Sequence, residues 1–321
     1  MLNNLKSRAA SDLLKLFYTD PYTIPLPQNH TFPIHKYTLL RKRLLDSGVV
    51  KAENFHIPHA ATREEITRVH EPQYFDRLQA GQLTSKEIRP IGLPWSNEFV
   101  ARARRSAGAT IEACRHAMAA GVTANLGGGT HHAFADRGQG YCLLNDAAIA
   151  SRALQADDTA GRILIIDCDV HQGNGTAAIF KNDPSVFTFS IHGKKNFPFV
   201  KEKSDLDIAL DDETGDSAYL DALEKGLEQS LTRSHAEIAL YLAGADPYKD
   251  DRFGRLALSK KGLAERDRMV FNRCHDAGLP IAVTMAGGYA RQVQDTVDIH
   301  YQTILAVVEF QQKFRKVFKV D

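Results

Sequence analysis

The segment from Ile165 to Gly175 combines an apolar stretch with closely spaced charged groups. Asp167, Asp169 and His171 follow the apolar residues and alternate at every second position. In an extended chain this spacing directs the three side chains to the same side. Charges at the end of a buried strand are costly unless they are paired or bind a cation. Two carboxylates and an imidazole suit a divalent metal ion such as Zn²⁺, and an ionic network that caps the strand is the alternative.

A further carboxylate, Asp246, follows a later apolar run. Gly244 precedes it and Pro247 follows it, and this pattern predicts a sharp turn that fixes the direction of the side chain. Together with Asp169 and His171, Asp246 would complete three protein ligands and leave an open position for water and substrate. This is the layout of a catalytic metal site. Taken alone, an aspartate after a strand more often caps a helix.

Two glycine-rich segments carry groups that could move protons or donate hydrogen bonds. Residues 127–132 read GGGTHH and end in His131 and His132, and residues 287–289 read GGY and end in Tyr289. No Lys-Ser/Thr pair follows the three glycines, which argues against a phosphate-binding P-loop. A phenol on a glycine turn could stabilise an oxyanion. Alone, the histidines could be ordinary loop residues, and the tyrosine could simply pack on the next helix.

Apolar runs alternate with helical stretches after residue 120, and each run has the length of a strand buried on both faces. The predicted strands are residues 122–126, 163–167, 186–191, 238–243 and 281–285. This alternation predicts an α/β fold, an open parallel sheet with helices on both faces. Ligands in such folds bind beyond the carboxyl ends of the strands, where the polar clusters lie. Without a linker or composition shift, residues 1–321 are predicted to form a single domain.

The N-terminal third shows weaker patterns. Residues 1–17 predict a short amphipathic helix, and residues 88–95 predict an irregular segment. Residues 97–120 predict a long helix that ends at Gly121. Thr62 and Glu65 have the spacing of a capping box, which marks a helix start.

Composition limits the classes of partner. The 321 residues are 43% hydrophobic and include 40 basic and 39 acidic side chains, for a net charge of +1. This balance gives no overall attraction to nucleic acid. No apolar stretch approaches the roughly 20 residues of a membrane span. The four cysteines lie far apart without a CxxC pair, as is typical of reduced thiols. We therefore expect a cytoplasmic protein without a nucleic-acid partner.

Together these segments resemble the zinc-dependent histone deacetylase family, whose fold is arginase-like. The family signatures occur in the family's order: GGGTHH, GYCLLND at residues 140–146, DCDVHQGNG from Asp167, GAD from Gly244 and GGY. The resemblance extends from about Val122 to Arg291 and implies a deacetylase-like catalytic domain. The HQGNG variant and residues 250–256 look most like the class IV subgroup and its bacterial relatives.

The resemblance implies roles for individual residues. The matches to the family's metal ligands are Asp169, His171 and Asp246. The matches to its catalytic groups are His131, His132, Tyr289, Asp167 and Asn174. The matches to its substrate-binding positions are Gly140, Tyr141, Phe197, Gly287 and Gly288. The divalent ion would be Zn²⁺, with Fe²⁺ as an alternative. A structural K⁺ would bind at Asp167, Asp169, His171, Ser190 and Ile191.

The implied activity is the removal of acetyl or longer acyl groups from the ε-nitrogen of lysine by metal-activated water. The substrate would be an acyl-lysine protein or peptide, or a small acylated amine. Alternatives are an acetylpolyamine amidohydrolase, a ureohydrolase with two manganese ions and a catalytically silent acyl-lysine binder. Asn174 replaces a frequent aspartate behind the second histidine, which should lower the pKa of His132. The family's rim aspartate has no firm match, and Asn97 or Glu98 are candidates.

Overall fold

A fully parallel β-sheet organises the chain in the computed structural model, which describes residues 14–28 and 30–317. Its strands are β1 (Leu16–Phe17), β2 (Phe55–His56), β3 (Val122–Asn125), β4 (Ile163–Asp167), β5 (Val186–Gly193), β6 (Leu206–Leu210), β7 (Ile238–Leu242) and β8 (Ile281–Thr284). The eight strands lie in the order β2-β1-β3-β8-β7-β4-β5-β6. The predicted α/β fold with an open parallel sheet is therefore confirmed.

Helices connect the strands and cover the sheet. They are α1 (Lys36–Asp46), α2 (Arg63–Thr67), α3 (Pro72–Gln79), α4 (Ser85–Ile91), α5 (Asn97–Ala120), α6 (Asp146–Ala156), α7 (Asn174–Ile179), α8 (Asp216–Ser234), α9 (Lys260–Asp276) and α10 (Val293–Val317). None of these helices is both long and apolar enough to cross a bilayer, within the residues that the structure describes.

Strand β4 shows why its sequence is a continuous apolar run. Leu164 and Ile166 pack into a core with α1, α8, α9 and α10, whereas Ile163 and Ile165 pack into a second core with α3, α5 and α6. Since successive side chains point to opposite faces of a strand, both faces of the sheet are covered by helices. In the register, Asp167 at the end of β4 pairs with positions on both neighbouring strands, β5 and β7.

The structure corrects two predictions in the N-terminal third. The predicted helix over residues 1–17 falls largely outside the described residues, but Leu16 and Phe17 form strand β1 between β2 and β3. Pairing with two strands outweighs a weak helical pattern there, because both side chains are buried. Residues 88–91 belong to helix α4 rather than to an irregular segment. A capping box at Thr84 starts this helix, and Gly92 ends it at φ +75°.

A buried arginine connects the loops that follow β4 and β7. Nη1 of Arg266, on α9, donates hydrogen bonds to the carbonyl oxygens of Cys168 (3.4 Å) and Gly244 (2.5 Å). Its Nε donates to Oδ1 of Asp267 at 2.9 Å, and Tyr241 donates its hydroxyl to the same oxygen at 2.5 Å. The guanidinium is fully buried, and the carboxylate compensates its charge. Arg266 therefore fixes the distance between two loops that carry predicted metal ligands.

Replacing this arginine tests its role in stability. We expect Arg266→Met to lower the free energy of unfolding by about 3–5 kcal/mol, because Asp267 is left buried without its cation. Arg268→Met, at an exposed position of the same helix, is the matched control and should stay within about 0.5 kcal/mol of wild type. Urea denaturation measures both variants. Equal stability of the two would show that Arg266 does not hold the loops together.

Candidate active site

Three potential metal ligands converge beyond the carboxyl ends of two neighbouring strands. Asp169 and His171 follow β4, and Asp246 follows β7. One ligand atom from each residue lies within 4.8 Å of the others, and all three residues are buried. Nδ1 of His171 lies 2.9 Å from Oδ1 of Asp169 and 3.3 Å from Oδ2 of Asp246. Parallel β4 and β7 bring these side chains together although about 75 residues separate them in sequence.

The surroundings of these ligands fit a divalent cation. Oδ2 of Asp246 is buried and has no hydrogen-bond partner. Burial and the negative charge of Asp169 raise the pKa of Asp246 to about 7, and the neighbouring His171 opposes this shift. Burial would lower the pKa of His171, but the two carboxylates outweigh it and raise the pKa to about 10, so positive charge is favoured between them. A Cβ atom on Gly287 would collide with carboxylate oxygens of Asp246 and Asp169, so only glycine permits this approach. The three residues form the one such ligand cluster within the described part of the chain.

The predicted histidine pair lies next to this cluster, and its ring centroids are 4.1 Å apart. Nδ1 of His131 lies 2.7 Å from Oδ2 of Asp167. Burial alone would lower the pKa of His131, but the negative charges of Asp167 and Asp169 outweigh it and raise the pKa to about 9. His131 is therefore an imidazolium at neutral pH that shares its proton with Asp167.

The second histidine of the pair, His132, is neutral rather than positively charged. Burial and the positive charges of His131 and His171 lower the pKa of His132 well below its usual value. Its Nδ1 lies 2.7 Å from Oδ1 of Asn174, whose Nδ2 donates to Oε1 of Gln139 at 2.8 Å. Since Gln139 orients this amide, its oxygen accepts from Nδ1 of His132. The ring therefore presents the lone pair of Nε2, as a general base requires.

Tyr289 follows the glycine turn after β8, and its ring lies among other aromatic side chains. Ring centroids of Phe253 and Tyr141 lie 5.1 and 5.9 Å from that of Tyr289. Burial and the nearby charges of Asp169 and Asp246 raise the pKa of Tyr289 well above its usual value. The phenol therefore keeps its proton and remains a hydrogen-bond donor.

Two residues that the sequence analysis did not assign hold this tyrosine in position. Nζ of the buried Lys36 donates to the carbonyl oxygens of Ala286 (3.3 Å) and Gly288 (3.2 Å), and it lies 5.2 Å from the Tyr289 ring centroid. Asp251 accepts a hydrogen bond from the Tyr289 backbone nitrogen at 2.6 Å. No local pattern marks Lys36, because its partners lie about 250 residues away.

A cavity of about 530 Å³ gives access to these groups, which is within the usual size range of small-molecule sites. Its aromatic lining residues are Phe32, Tyr37, Tyr141, Phe197, Phe199, Phe253 and Tyr289. Of the predicted substrate-binding residues, Gly140, Tyr141, Phe197 and Gly287 line the cavity. Gly288 is not among the lining residues. Asn97 and Glu98, the candidates for the rim, are exposed on α5 and do not line the cavity either.

The backbone around the cavity is strained at two positions. Tyr141 has φ +67° and Ala286 has φ +51°, although both residues carry a Cβ atom. Such conformations cost about 1–3 kcal/mol each and occur often at functional sites. Next to Tyr141, a Cβ atom on Gly140 would collide with the His132 ring. The loops are therefore held close to the histidine pair.

The residues of the predicted potassium site lie on two adjacent strands, β4 and β5, and in the loop after β4. Ser190 and Ile191 lie in β5, and Ser190 pairs in register with Asp167 of β4. The Ser190 hydroxyl lies 3.0 Å from Nδ1 of His192. This arrangement does not test the binding of K⁺, which stays a prediction.

Comparison with known families matches residues 30–304 to the histone deacetylase domain. An uncharacterised protein of a Picosynechococcus species is 44% identical over 88% of this chain and 94% of that relative. Histone deacetylase 2 of Arabidopsis thaliana is 26% identical over 89% of this chain and 78% of its own length. The acetoin utilization protein AcuC of Bacillus subtilis is 29% identical over 85% of this chain and 76% of its own length.

A solved structure supports the fold. The HD domain of HDA15 is similar with a TM-score of 0.76 and 21% sequence identity, over 94% of this chain and 96% of that chain. This structural similarity supports the fold alone, whereas the domain match and the sequence relatives support membership in a family. The chain belongs to the histone deacetylase family.

Proposed function

We propose that this chain is a metal-dependent hydrolase that removes acyl groups from the ε-nitrogen of lysine, as one catalytic domain over residues 1–321. The observation that carries the proposal is the convergence of Asp169, His171 and Asp246 next to an aromatic cavity. Asp169, His171, His132 and Tyr289 line this cavity, and Asp246 lies buried behind them. Ligands, a proton acceptor and an oxyanion donor within one cavity are what amide hydrolysis requires.

Asp169, His171 and Asp246 would hold one Zn²⁺ or Fe²⁺ ion. When bound, the ion supplies a Lewis acid that polarises the substrate carbonyl and lowers the pKa of water. The proposed structural K⁺ would bind at the strand ends behind these ligands. Its residues would be Asp167, Asp169, His171, Ser190 and Ile191, as in the family pattern.

His132 would act as the general base. Its neutral ring offers Nε2 to the attacking water, because Nδ1 is engaged by Asn174. His131, held as an imidazolium by Asp167, would contribute positive charge near the reacting carbonyl. After the attack, His132 carries the proton that the departing amine needs, since an amide anion cannot leave at neutral pH. The coupled rings titrate as a pair.

Tyr289 would donate a hydrogen bond to the oxyanion that develops on the substrate carbonyl. The support is its protonated phenol, which Lys36 and Asp251 hold in position through the backbone around it. A donor that is fixed before the reaction needs no reorganisation as charge develops.

An acylated lysine suits the cavity because its side chain is long, narrow and neutral. Aromatic walls at Tyr141, Phe197 and Phe253 would enclose its methylene groups. Free lysine would bring a charge into this apolar environment at a desolvation cost, which favours release of the product.

Two alternatives are less well supported. A ureohydrolase with two manganese ions needs additional carboxylates, and the described residues contain one cluster of three potential ligands. A silent binder would be expected to lack a ligand, a histidine or the tyrosine, and this chain retains all of them. Acetylpolyamine hydrolysis would use the same groups with a different cavity mouth.

Metal content separates the proposed activity from the ureohydrolase alternative. We expect one tightly bound divalent ion per chain, and Asp246→Asn should weaken its binding by more than about 100-fold, since even the partners behind metal ligands contribute 10–100-fold. Asp76→Asn, at an exposed carboxylate, is the matched control. Mass spectrometry of metals and competition with a fluorescent chelator measure stoichiometry and affinity. Two ions per chain would favour the ureohydrolase alternative instead.

The role of Tyr289 can be tested by Tyr289→Phe. Loss of the oxyanion donor should lower kcat by about 100- to 1,000-fold, equivalent to roughly 2.7–4 kcal/mol, with metal affinity unchanged. Single-turnover assays on an acyl-lysine peptide measure the rate. Turnover equal to wild type would remove Tyr289 from the mechanism.

The proposed activity is tested with a panel of acyl-lysine peptides from acetyl to myristoyl. We expect hydrolysis of at least one member, its loss on chelation and its recovery when Zn²⁺ or Fe²⁺ is restored. A metal-replete protein that leaves the whole panel intact would contradict the proposed function.

A further inference from the structure

We propose that the mouth of the cavity recognises acidic residues beside the acylated lysine, so that the substrate class is an anionic peptide rather than an acylated polyamine. This inference rests on the proposed function, because it concerns the part of the substrate that stays outside the cavity.

The exposed part of the cavity lining is positively charged. Lys195, Arg252 and Arg255 line the cavity, and all three are exposed. The carboxylate among the described lining residues is Asp169, which is buried at the base as a proposed metal ligand. A ligand that enters the mouth therefore meets cations first.

Nearby acids compensate these cations only in part. Nζ of Lys195 lies 3.6 Å from Oδ2 of Asp212, and Nη1 of Arg255 lies 3.3 Å from the same oxygen. Within the described residues, Arg252 has no carboxylate within 4 Å, and its Nη2 donates to the carbonyl oxygen of Arg291 at 3.3 Å. Two of the three cations thus share one carboxylate and the third has none at ion-pair distance, so the mouth keeps a net positive charge.

A second groove next to the mouth is also lined by basic residues. It has a volume of about 500 Å³ and shares Phe32, Arg252 and Tyr289 with the main cavity. Its other ionisable lining residues are His30, His35 and Arg291, and no Asp or Glu lies in its lining as far as the structure describes it. A peptide that leaves the mouth along this groove passes Arg252 and Arg291.

The loop that carries Arg252 is fixed in place. Oδ1 of Asp251 accepts hydrogen bonds from the backbone nitrogens of Phe253 (2.8 Å) and Gly254 (3.0 Å), while Oδ2 accepts from that of Tyr289. The same carboxylate therefore connects the cationic loop to the proposed oxyanion donor. A preorganised loop loses less entropy when it binds a ligand.

The positive charge at the mouth affects the choice between acidic peptides and acylated polyamines. The chain as a whole has a net charge of only +1, so the positive charge at the mouth is local. Charges at the rim of a binding site mainly change association rates and their dependence on salt. Acidic side chains beside the acyl-lysine would be attracted, whereas the free ammonium groups of an acylated polyamine would be repelled. Screening over about 8 Å at physiological salt limits the effect to nearby residues.

The test compares kcat/KM for three substrates with one acyl group: a peptide with aspartates beside the lysine, the same peptide with lysines there, and an acylated polyamine. We expect at least a tenfold preference for the acidic peptide at low salt, within the range of electrostatic steering. The preference should shrink in 0.5 M NaCl.

Arg252→Gln and Arg291→Gln should each reduce the ratio of kcat/KM for the acidic peptide to that for the basic peptide, by up to about fivefold. Lys261→Gln, at an 86% exposed side chain outside both cavities, should preserve it.

The outcomes separate this inference from the proposed function. Equal rates for the two peptides, or a preference for the polyamine, would overturn the inference and leave lysine deacylation intact. No turnover of any substrate would contradict the proposed function. In that case fluorescence anisotropy of the labelled peptides still tests the mouth, since tighter and salt-sensitive binding of the acidic peptide supports the inference. Equal binding of both peptides overturns it.

Discussion

The burial of two carboxylates beside one imidazole is the constraint on which the rest of this structure depends. Asp169 and Asp246 lie at the ends of neighbouring strands with almost no exposed surface. Backbone nitrogens of Val170 and Gly287 stabilise one oxygen of each, but Oδ2 of Asp246 has no hydrogen bond. Buried carboxylates are costly unless positive charge compensates them, and Nδ1 of His171 lies between these two. The three side chains therefore fit the cation that we propose, and the parallel sheet supplies the rigid frame that keeps them together.

The remaining features of the cavity form layers around that centre. Next to the two carboxylates lie one charged and one neutral histidine. Their different partners, Asp167 and Asn174, set the protonation state of each ring. Above them the aromatic walls form an apolar layer. The outermost layer is cationic, at Arg252 and its neighbours. Under the proposed function, each layer would bind a different part of an acylated lysine: the carbonyl, the methylene chain and the flanking peptide.

Local sequence patterns predicted the five central strands, β3, β4, β5, β7 and β8, and the polar clusters that follow them, but not the edge strand β6. A strand buried on both faces is a continuous apolar run, as in β4, and the groups that follow it must lie at the edge of the sheet. Strands β1 and β2 have only two residues each and carry no such pattern. The supporting roles of Lys36 and Arg266 also escaped prediction. Both residues act on carbonyl oxygens of distant loops, and any residue type can supply those oxygens.

X-ray diffraction at the zinc absorption edge, from crystals of the zinc-loaded protein, would locate the metal ion directly. We expect one anomalous peak between Asp169, His171 and Asp246, with ligand distances of about 2.0–2.2 Å. A peak elsewhere, or carboxylates that turn away from each other around an empty centre, would contradict this expectation.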